Sequence, residues 1–343
     1  MDTVTQALLG GAVAYVVAGR KHSARKAIAW GAAIAVLPDL DIFIPYENDL
    51  AATTHHRSWS HSWLIQTLIA PFIAGLIHRF DKTFTKSTWF LLVWLALITH
   101  SALDALTIYG TQLFWPLMPP PISGGSVFII DPSYSIPLLI GTLAIVAKPN
   151  VIISHNIMKF SFVFSCIYLI WGLLMQAWVF NQSKTSLKEQ GITADKILVS
   201  ATPLNTLLWR IVAIDNKYYY QGLYSVFDQS DAVLFSKYER NLNLVVLDDM
   251  PALARLNWFT SGFYALEQQH ELIVAKDLRM GIEPNYFFKF KIASISTGQT
   301  RTITPNQLRQ QRRIKENLAW TWQRIWSSDV KSYNPKMLST ETN

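Results

Sequence analysis

The sequence predicts a polytopic α-helical membrane domain followed by a soluble, strand-rich α+β domain, and three observations carry that expectation. Uncharged stretches such as Phe90–Ile98, Pro137–Ala147 and Ser161–Phe180 crowd the first half. Beyond Lys184, charged and apolar residues mix as they do in a water-exposed domain. Short β-type runs then replace the long apolar ones. The mean hydropathy of +0.20 therefore averages two halves that meet different solvents. We place a membrane-embedded domain at residues 1–180 and a soluble α+β domain at residues 185–343.

About six apolar segments follow one another in the first half: Thr5–Gly19, Ala27–Pro45, Trp63–His78, Thr88–Tyr109, Tyr134–Ala147 and Phe160–Phe180. The first and fifth fall below the roughly 20 residues of a full span, so tilted, re-entrant and interfacial placements stay open for them. The first is rich in Gly and Ala, which suits a helix packed closely on its neighbours. It has no basic residue ahead of its apolar stretch, and Asp2 stands where a signal peptide carries Lys or Arg, so it reads as a retained membrane segment. The basic residues Arg20, Lys21, Arg25, Lys26, Arg79, Lys82, Lys86, Lys148 and Lys159 fall in alternate loops, and the intervening loops hold only Arg57. By the positive-inside rule both termini, the loops Tyr46–Ser62 and Gly110–Ser133, and the C-terminal domain are expected outside the cytoplasm.

In the second half, strands are expected at Ile197–Ser200, Leu207–Ile214, Tyr218–Phe227, Leu244–Leu247, Leu272–Ala275 and Phe287–Ile292, with a hairpin turn at Asp215-Asn216 and a closing helix over Pro305–Trp326. The net charge of +7 is spread over membrane loops and tail rather than gathered in a stripe, which argues against a nucleic-acid partner. The single cysteine, Cys166, excludes an intrachain disulfide and a thiolate metal cage.

Three polar groups interrupt the membrane half. In Pro38-Asp39-Leu40-Asp41, two carboxylates follow a helix-breaking proline, where burial near hydrocarbon demands a neutralising partner or an interfacial position. His55-His56-Arg57-Ser58-Trp59-Ser60-His61 puts three imidazoles in seven residues, suited to a divalent metal, beside an Arg suited to an anionic oxygen. His100 and Asp104 lie one helical turn apart within an apolar segment, so both reach one ion or pair with each other. The orientation drawn from Lys and Arg places all three groups near the same outer face. A mixed His and carboxylate set suits Zn, Mn or Fe better than Ca or Mg. Asp2 and Gln6 are candidate outer partners of the site; Asp131 reads equally as a contributor or as a turn-forming Asp-Pro. His22, His78, His155 and His270 read as ordinary polar residues.

These motifs, namely the opening MDTVTQALLGG, LPDLD, HRSWSHS and HSALDALTIYGTQLFWP, resemble the YdjM-type family of inner-membrane proteins described as predicted membrane-bound metal-dependent hydrolases. The resemblance covers about residues 1–180. It implies a metal site made of Asp39, Asp41, His56, His61, His100 and Asp104, with His55 outside the pattern and Gln6 standing where some members carry His. The expected function is a hydrolase of the bacterial inner membrane acting on an ester or phosphoester of a lipid-like substrate, with a divalent metal, Zn first by its ligand chemistry, as cofactor. Arg57 is expected to hold an anionic group, and Asp41 is the candidate to accept a proton from water. The expected partners are membrane lipid and that substrate. A metal-binding membrane protein without catalysis, a sensor or transporter, is the competing expectation, although segments five and six offer no charged residue in mid-span for a transport path.

Overall fold

The computed structural model describes residues 1–19, 23–245, 250–296, 299–308 and 314–330. Arg20, Lys21 and His22, and Val246 and Leu247 at the end of one expected strand, lie outside the described residues. The chain divides into two compact units, one of Met1–Glu47 with Ala51–Leu174, the other of Asn48–Leu50 with Met175–Asn343.

In the first unit, α1 (Thr3–Ala18) starts at Asp2, whose side chain accepts from Thr5 N at 3.0 Å. Then α2 (Ala24–Val36) packs along α1 so closely that a Cβ at Gly10 would lie 2.3 Å from Ala35 Cβ and 2.4 Å from Gly31 O. The small residues are therefore a requirement of backbone approach. Pro38 leads α2 into a 3-10 helix over Leu37–Phe43. A short α3 (Asp49–His55) and a 3-10 turn at Trp59–His61 precede α4 (Trp63–Phe80) and α5 (Lys86–Ala105). Two more helices follow, α6 (Pro132–Ala147) and α7 (Ile152–Glu189).

All six expected apolar segments contain helix, but six spans are not supported, because among the described residues only α4, α5 and α7 are long and apolar enough to cross a membrane. At 1.5 Å per residue, helices of 16 residues such as α1 and α6 reach about 24 Å, and the 13 residues of α2 about 20 Å, against a hydrocarbon core of about 30 Å. Pro38 is the reason for the second shortfall, since it ends the regular helix well before Pro45.

The most enclosed of the three long helices is α5. Its buried residues Trp89, Leu92, Val93, Ala96, Leu97, His100, Leu103 and Asp104 recur at three and four, the stripe of a core-facing helix. His100 and Asp104 continue that stripe at its C-terminal end, so helical periodicity alone aims both inward.

The second unit begins within α7 and continues as β1 (Lys196–Ala201), β2 (Leu208–Ile214), β3 (Tyr218–Ser225) and β4 (Phe235–Glu239), one antiparallel sheet in that order. The β2–β3 turn is held by Asp215, whose Oδ1 accepts from Lys217 N at 2.7 Å and Tyr218 N at 2.6 Å. After α8 (Pro251–Phe259) come β5 (Tyr264–Gln269), β6 (Leu272–Asp277), the small hairpin β7 (Gly281–Ile282) and β8 (Asn285–Tyr286), β9 (Lys289–Ser296) and β10 (Gln299–Gln307). A second antiparallel sheet has the order β10-β9-β6-β5. The closing helix, α9 (Ile314–Trp326), starts later than expected because Pro305 belongs to β10. Leu244, the start of one expected strand, instead ends a 3-10 helix at Leu242–Leu244, and strands β4, β5, β7, β8 and β10 and helix α8 were not expected; the sequence YALEQQ of β5, for instance, holds good helix formers that only pairing with β6 draws into a strand.

Candidate metal centre

Four elements bring the candidate residues together. The 3-10 helix at Leu37–Phe43 supplies Asp39 and Asp41, the segment after α3 supplies His56 and Arg57, the 3-10 turn supplies His61, and the last turns of α5 supply His100 and Asp104. Asp39, His61, His100 and Asp104 each offer one ligand atom, and these atoms all lie within 4.8 Å of one another. His61 Nε2 stands 3.0 Å from His100 Nε2, 3.2 Å from Asp104 Oδ2 and 3.4 Å from Asp39 Oδ1. His100 Nε2 is 3.6 Å from Asp39 Oδ1 and 3.6 Å from Asp104 Oδ2. A tetrahedron of donors bonded to Zn at about 2.0–2.1 Å has edges of about 3.3–3.4 Å. These five separations scatter around that length and the sixth, between Asp39 and Asp104, is within 4.8 Å, so the donor set fits a small divalent cation once the two carboxylates close on it.

The polar atoms around the cluster support the same fit. Asp104 Oδ2 has no hydrogen bond of acceptable geometry although it is buried, and its ion-pair contacts are Arg57 Nε at 3.0 Å and the two imidazoles. Its other oxygen accepts from Gln6 Nε2 at 2.8 Å and from the Met1 amino group. A buried carboxylate near a helix C-terminus is disfavoured by both desolvation and the helix dipole, and a cation in front of Oδ2 answers both. Two carboxylates and two imidazole nitrogens facing one point is the arrangement a metal ion resolves.

Asp41 and His56 stand to one side of the four donors. His56 Nδ1 lies 2.6 Å from Asp41 Oδ1, while Asp41 Oδ2 accepts from Arg57 N at 3.0 Å and from Ser60 Oγ at 2.6 Å. Since the Ser60 proton goes to Asp41, the contact of 2.9 Å between Ser60 Oγ and His61 Nδ1 is best made with Nδ1–H as donor. That tautomer leaves the Nε2 lone pair directed at the cluster, the relay through which an outer carboxylate orients a metal-ligating histidine. Burial disfavours charge on Asp39 and on His61, but the imidazoles of His100 and then His61 beside Asp39, and the carboxylates of Asp104 and then Asp39 beside His61, override it. The Asp39 carboxyl is held well below the usual carboxylate range and His61 is raised above its ordinary value.

Arg57 adopts φ +61°, a left-handed conformation that a β-substituted residue avoids unless its surroundings fix it. Here its N–H binds Asp41, its carbonyl accepts from Gln112 N at 3.0 Å, and Nη1 donates to Thr107 Oγ1 at 3.2 Å. Its guanidinium carbon lies 4.9 Å from the Tyr109 ring centroid, so an aromatic face backs the charge that meets Asp104.

The remaining candidates fall outside the cluster. Gln6 reaches Asp104 directly, whereas Asp2 caps α1. Asp131 caps α6 through Ser133 N at 3.1 Å and accepts from Tyr168 OH at 2.8 Å. His155 bridges Tyr15 OH and Pro149 O, and His78 contacts Phe84 O. Sequence reading missed Ser60 and Gln66; the latter donates to Ser60 O at 2.9 Å and Ser101 Oγ at 2.6 Å, tying the histidine turn to α5. A lone Gln in the first turn of an apolar helix was the available signal for it.

Long apolar helices and a buried Asp/His cluster able to hold a metal ion define the class, a helical membrane protein with a candidate metal centre. The family model described as YdjM inner membrane protein matches residues 1–179, and the chain belongs to that family. No curated protein and no solved structure matches it significantly.

Proposed function

We propose that this protein is a metal-dependent hydrolase of the inner membrane that cleaves an ester or phosphoester of a lipid-like substrate. The observation that supports it most is the convergence of Asp39, His61, His100 and Asp104 at the spacing of a small metal ion. In this reading those four residues hold Zn, with Mn and Fe as the other candidates for a His and carboxylate set. A divalent ion there supplies Lewis acidity and a water acidic enough to be a nucleophile at neutral pH. Asp41, paired with His56, would accept a proton from water at the site, and Ser60 would hold His61 with Nε2 turned toward an ion. Arg57 recognises the anionic oxygen of the substrate beside Asp104.

Helices α4 and α5 place Arg79, Lys82 and Lys86 at the end away from the cluster, which supports a multi-pass arrangement with the site on the outer face. An outside C-terminus also requires an even number of passes, so in this reading the shorter α6 crosses with α7; alkaline phosphatase fused after Asn343 is then active, and a cytoplasmic reporter there silent, while the reverse result rejects this orientation.

Metal analysis of the purified protein, joined to turnover on phospholipid and phosphomonoester panels before and after chelation, tests the hydrolase. Arg57→Lys keeps the charge but loses the planar fork, so it is expected to retain metal and lose on the order of tenfold in kcat/KM on a phosphate substrate. Equal cleavage by both proteins removes the role assigned to Arg57. Metal-loaded protein inactive on every ester leaves the second reading, a metal-binding protein without catalysis. One observation favours that reading: four protein donors close a tetrahedral shell, as in structural sites, whereas catalytic zinc keeps a position open. The hydrolase therefore requires a fifth ligand position or the release of Asp39, the most exposed of the four.

A further inference from the structure

Within the second unit, β3 runs antiparallel to the end of α7. Leu187 packs with Ala213 and Tyr220, while nine residues earlier Trp178 meets Tyr224 edge-on with ring centroids 5.3 Å apart. Nine helical rises and the four strand rises from Tyr220 to Tyr224 each cover roughly 13 Å, so the two elements stay in step. The turn after β3 thus points toward Met175, where this unit's stretch of α7 begins. The β1–β2 turn lies at the same end, because Leu208 pairs with Ser225.

That end of the sheet is aromatic. Phe227 is 48% exposed and stacks on Trp326, which is 54% exposed, at 4.7 Å, and Trp322, 62% exposed, meets Trp326 edge-on at 5.6 Å. Leu204, 37% exposed, sits in the β1–β2 turn. The charges behind these rings are paired, Arg324 Nη1 with Asp228 Oδ1 at 2.7 Å and Nη2 with Oδ2 at 2.8 Å. Asp231, exposed at the same end, accepts from Tyr224 OH at 3.2 Å. The opposite end is polar, with Asn216, Lys217, Lys237 and Glu239 exposed.

We propose that the aromatic end formed by Leu204, Phe227, Trp322 and Trp326 seats the second unit on the lipid surface, with the rings at the boundary of headgroups and acyl chains. The occupant is lipid because the rings lie at the end of the sheet toward which this unit's own stretch of α7 turns apolar, Met175 to Phe180, and that helix is long and apolar enough to enter a bilayer. Tryptophan and phenylalanine with paired polar neighbours are the chemistry that settles at this boundary.

The full chain, carrying Cys166→Ser, is given a single cysteine at Trp322 or, as a control, at Asn216, labelled with an environment-sensitive fluorophore and reconstituted into phosphatidylethanolamine and phosphatidylglycerol vesicles. The label at 322 is expected to emit to the blue of the label at 216 and to be quenched roughly twofold or more by shallow doxyl-labelled lipid while iodide spares it. The label at 216 should show the reverse. In an arm with native folding contacts, brominated lipid should quench tryptophan emission less in Trp322→Phe than in the wild type. Iodide reaching both labels alike overturns the proposal, and so does a 322 label shielded from both iodide and doxyl lipid, which indicates a protein cover.

Discussion

In the sheet unit the buried guanidinium of Arg240 donates to the carbonyls of Tyr264, Asp215 and Gly262 at 3.1, 2.7 and 2.6 Å. In the helical unit, Asp104 Oδ2 is equally buried and finds no hydrogen bond. The same contrast holds around each. Arg210 donates to Leu278 O at 2.8 Å and to Gln221 Oε1 at 2.9 Å, and Arg279 pairs with Asp277 at 2.7 Å. By contrast, the two Nε2 atoms of His61 and His100 face each other between two carboxylates. Burial of charge therefore does not mark a site by itself. Closed networks hold a fold together; donors that converge on one point with an unsatisfied atom among them call for a ligand.

The largest expected effect separates these two kinds of burial. His61→Ala or Asp104→Ala should lower metal affinity by more than about 100-fold, beyond the 10–100-fold of an outer partner. Elemental analysis of membrane-inserted protein should then find well under one equivalent. Metal retained in full by both variants would break the comparison, because the cluster would be another closed network.

Arg240→Ala is the converse. Three carbonyls lose a charged donor, although Gly262 O keeps Tyr264 N, so the sheet unit should lose about 1–3 kcal/mol of stability while metal content stays at the wild-type level. Chemical unfolding followed through the far-UV signal, beside elemental analysis, reads both; a drop in metal content would tie this network to the site.

Next comes Gly10→Ala, where the added methyl group meets Ala35 Cβ and Gly31 O. Forcing α1 from α2 is expected to cost about 1–3 kcal/mol, seen as a lower Tm in detergent. A Tm unchanged from the wild type would show that the packing is looser than these distances require.

The smallest effect sharpens the comparison within the site. Gln6→Leu removes the donor that holds Asp104 Oδ1 but leaves all four ligand atoms, so affinity should fall about tenfold, at the lower end for an outer partner. A fall as deep as that of Asp104→Ala would make Gln6 inseparable from the ligands.

Much of the site was legible because its signals are local. His100 and Asp104 fall on one helical face by spacing alone, Pro38 announces the turn that carries both aspartates, and an imidazole-rich loop stands out in an apolar half. The hairpin at Asp215 and strands β1, β2, β3 and β6 were equally local, set by turn chemistry and β-branched or aromatic runs.

Tertiary structure decided the rest. Whether an apolar segment stays one long helix depends on where it is stopped, as Pro38 stops α2, so among the described residues six apolar segments became three helices of full length. Which candidates face one another is likewise a matter of packing. Composition cannot distinguish Asp39 from Asp41, yet the pitch of one 3-10 helix turns the first to His61 and His100 and the second to His56, Ser60 and the Arg57 backbone. Strands β4, β5 and β10 exist because partner strands claim their hydrogen bonds, a non-local cause that a sequence window does not contain.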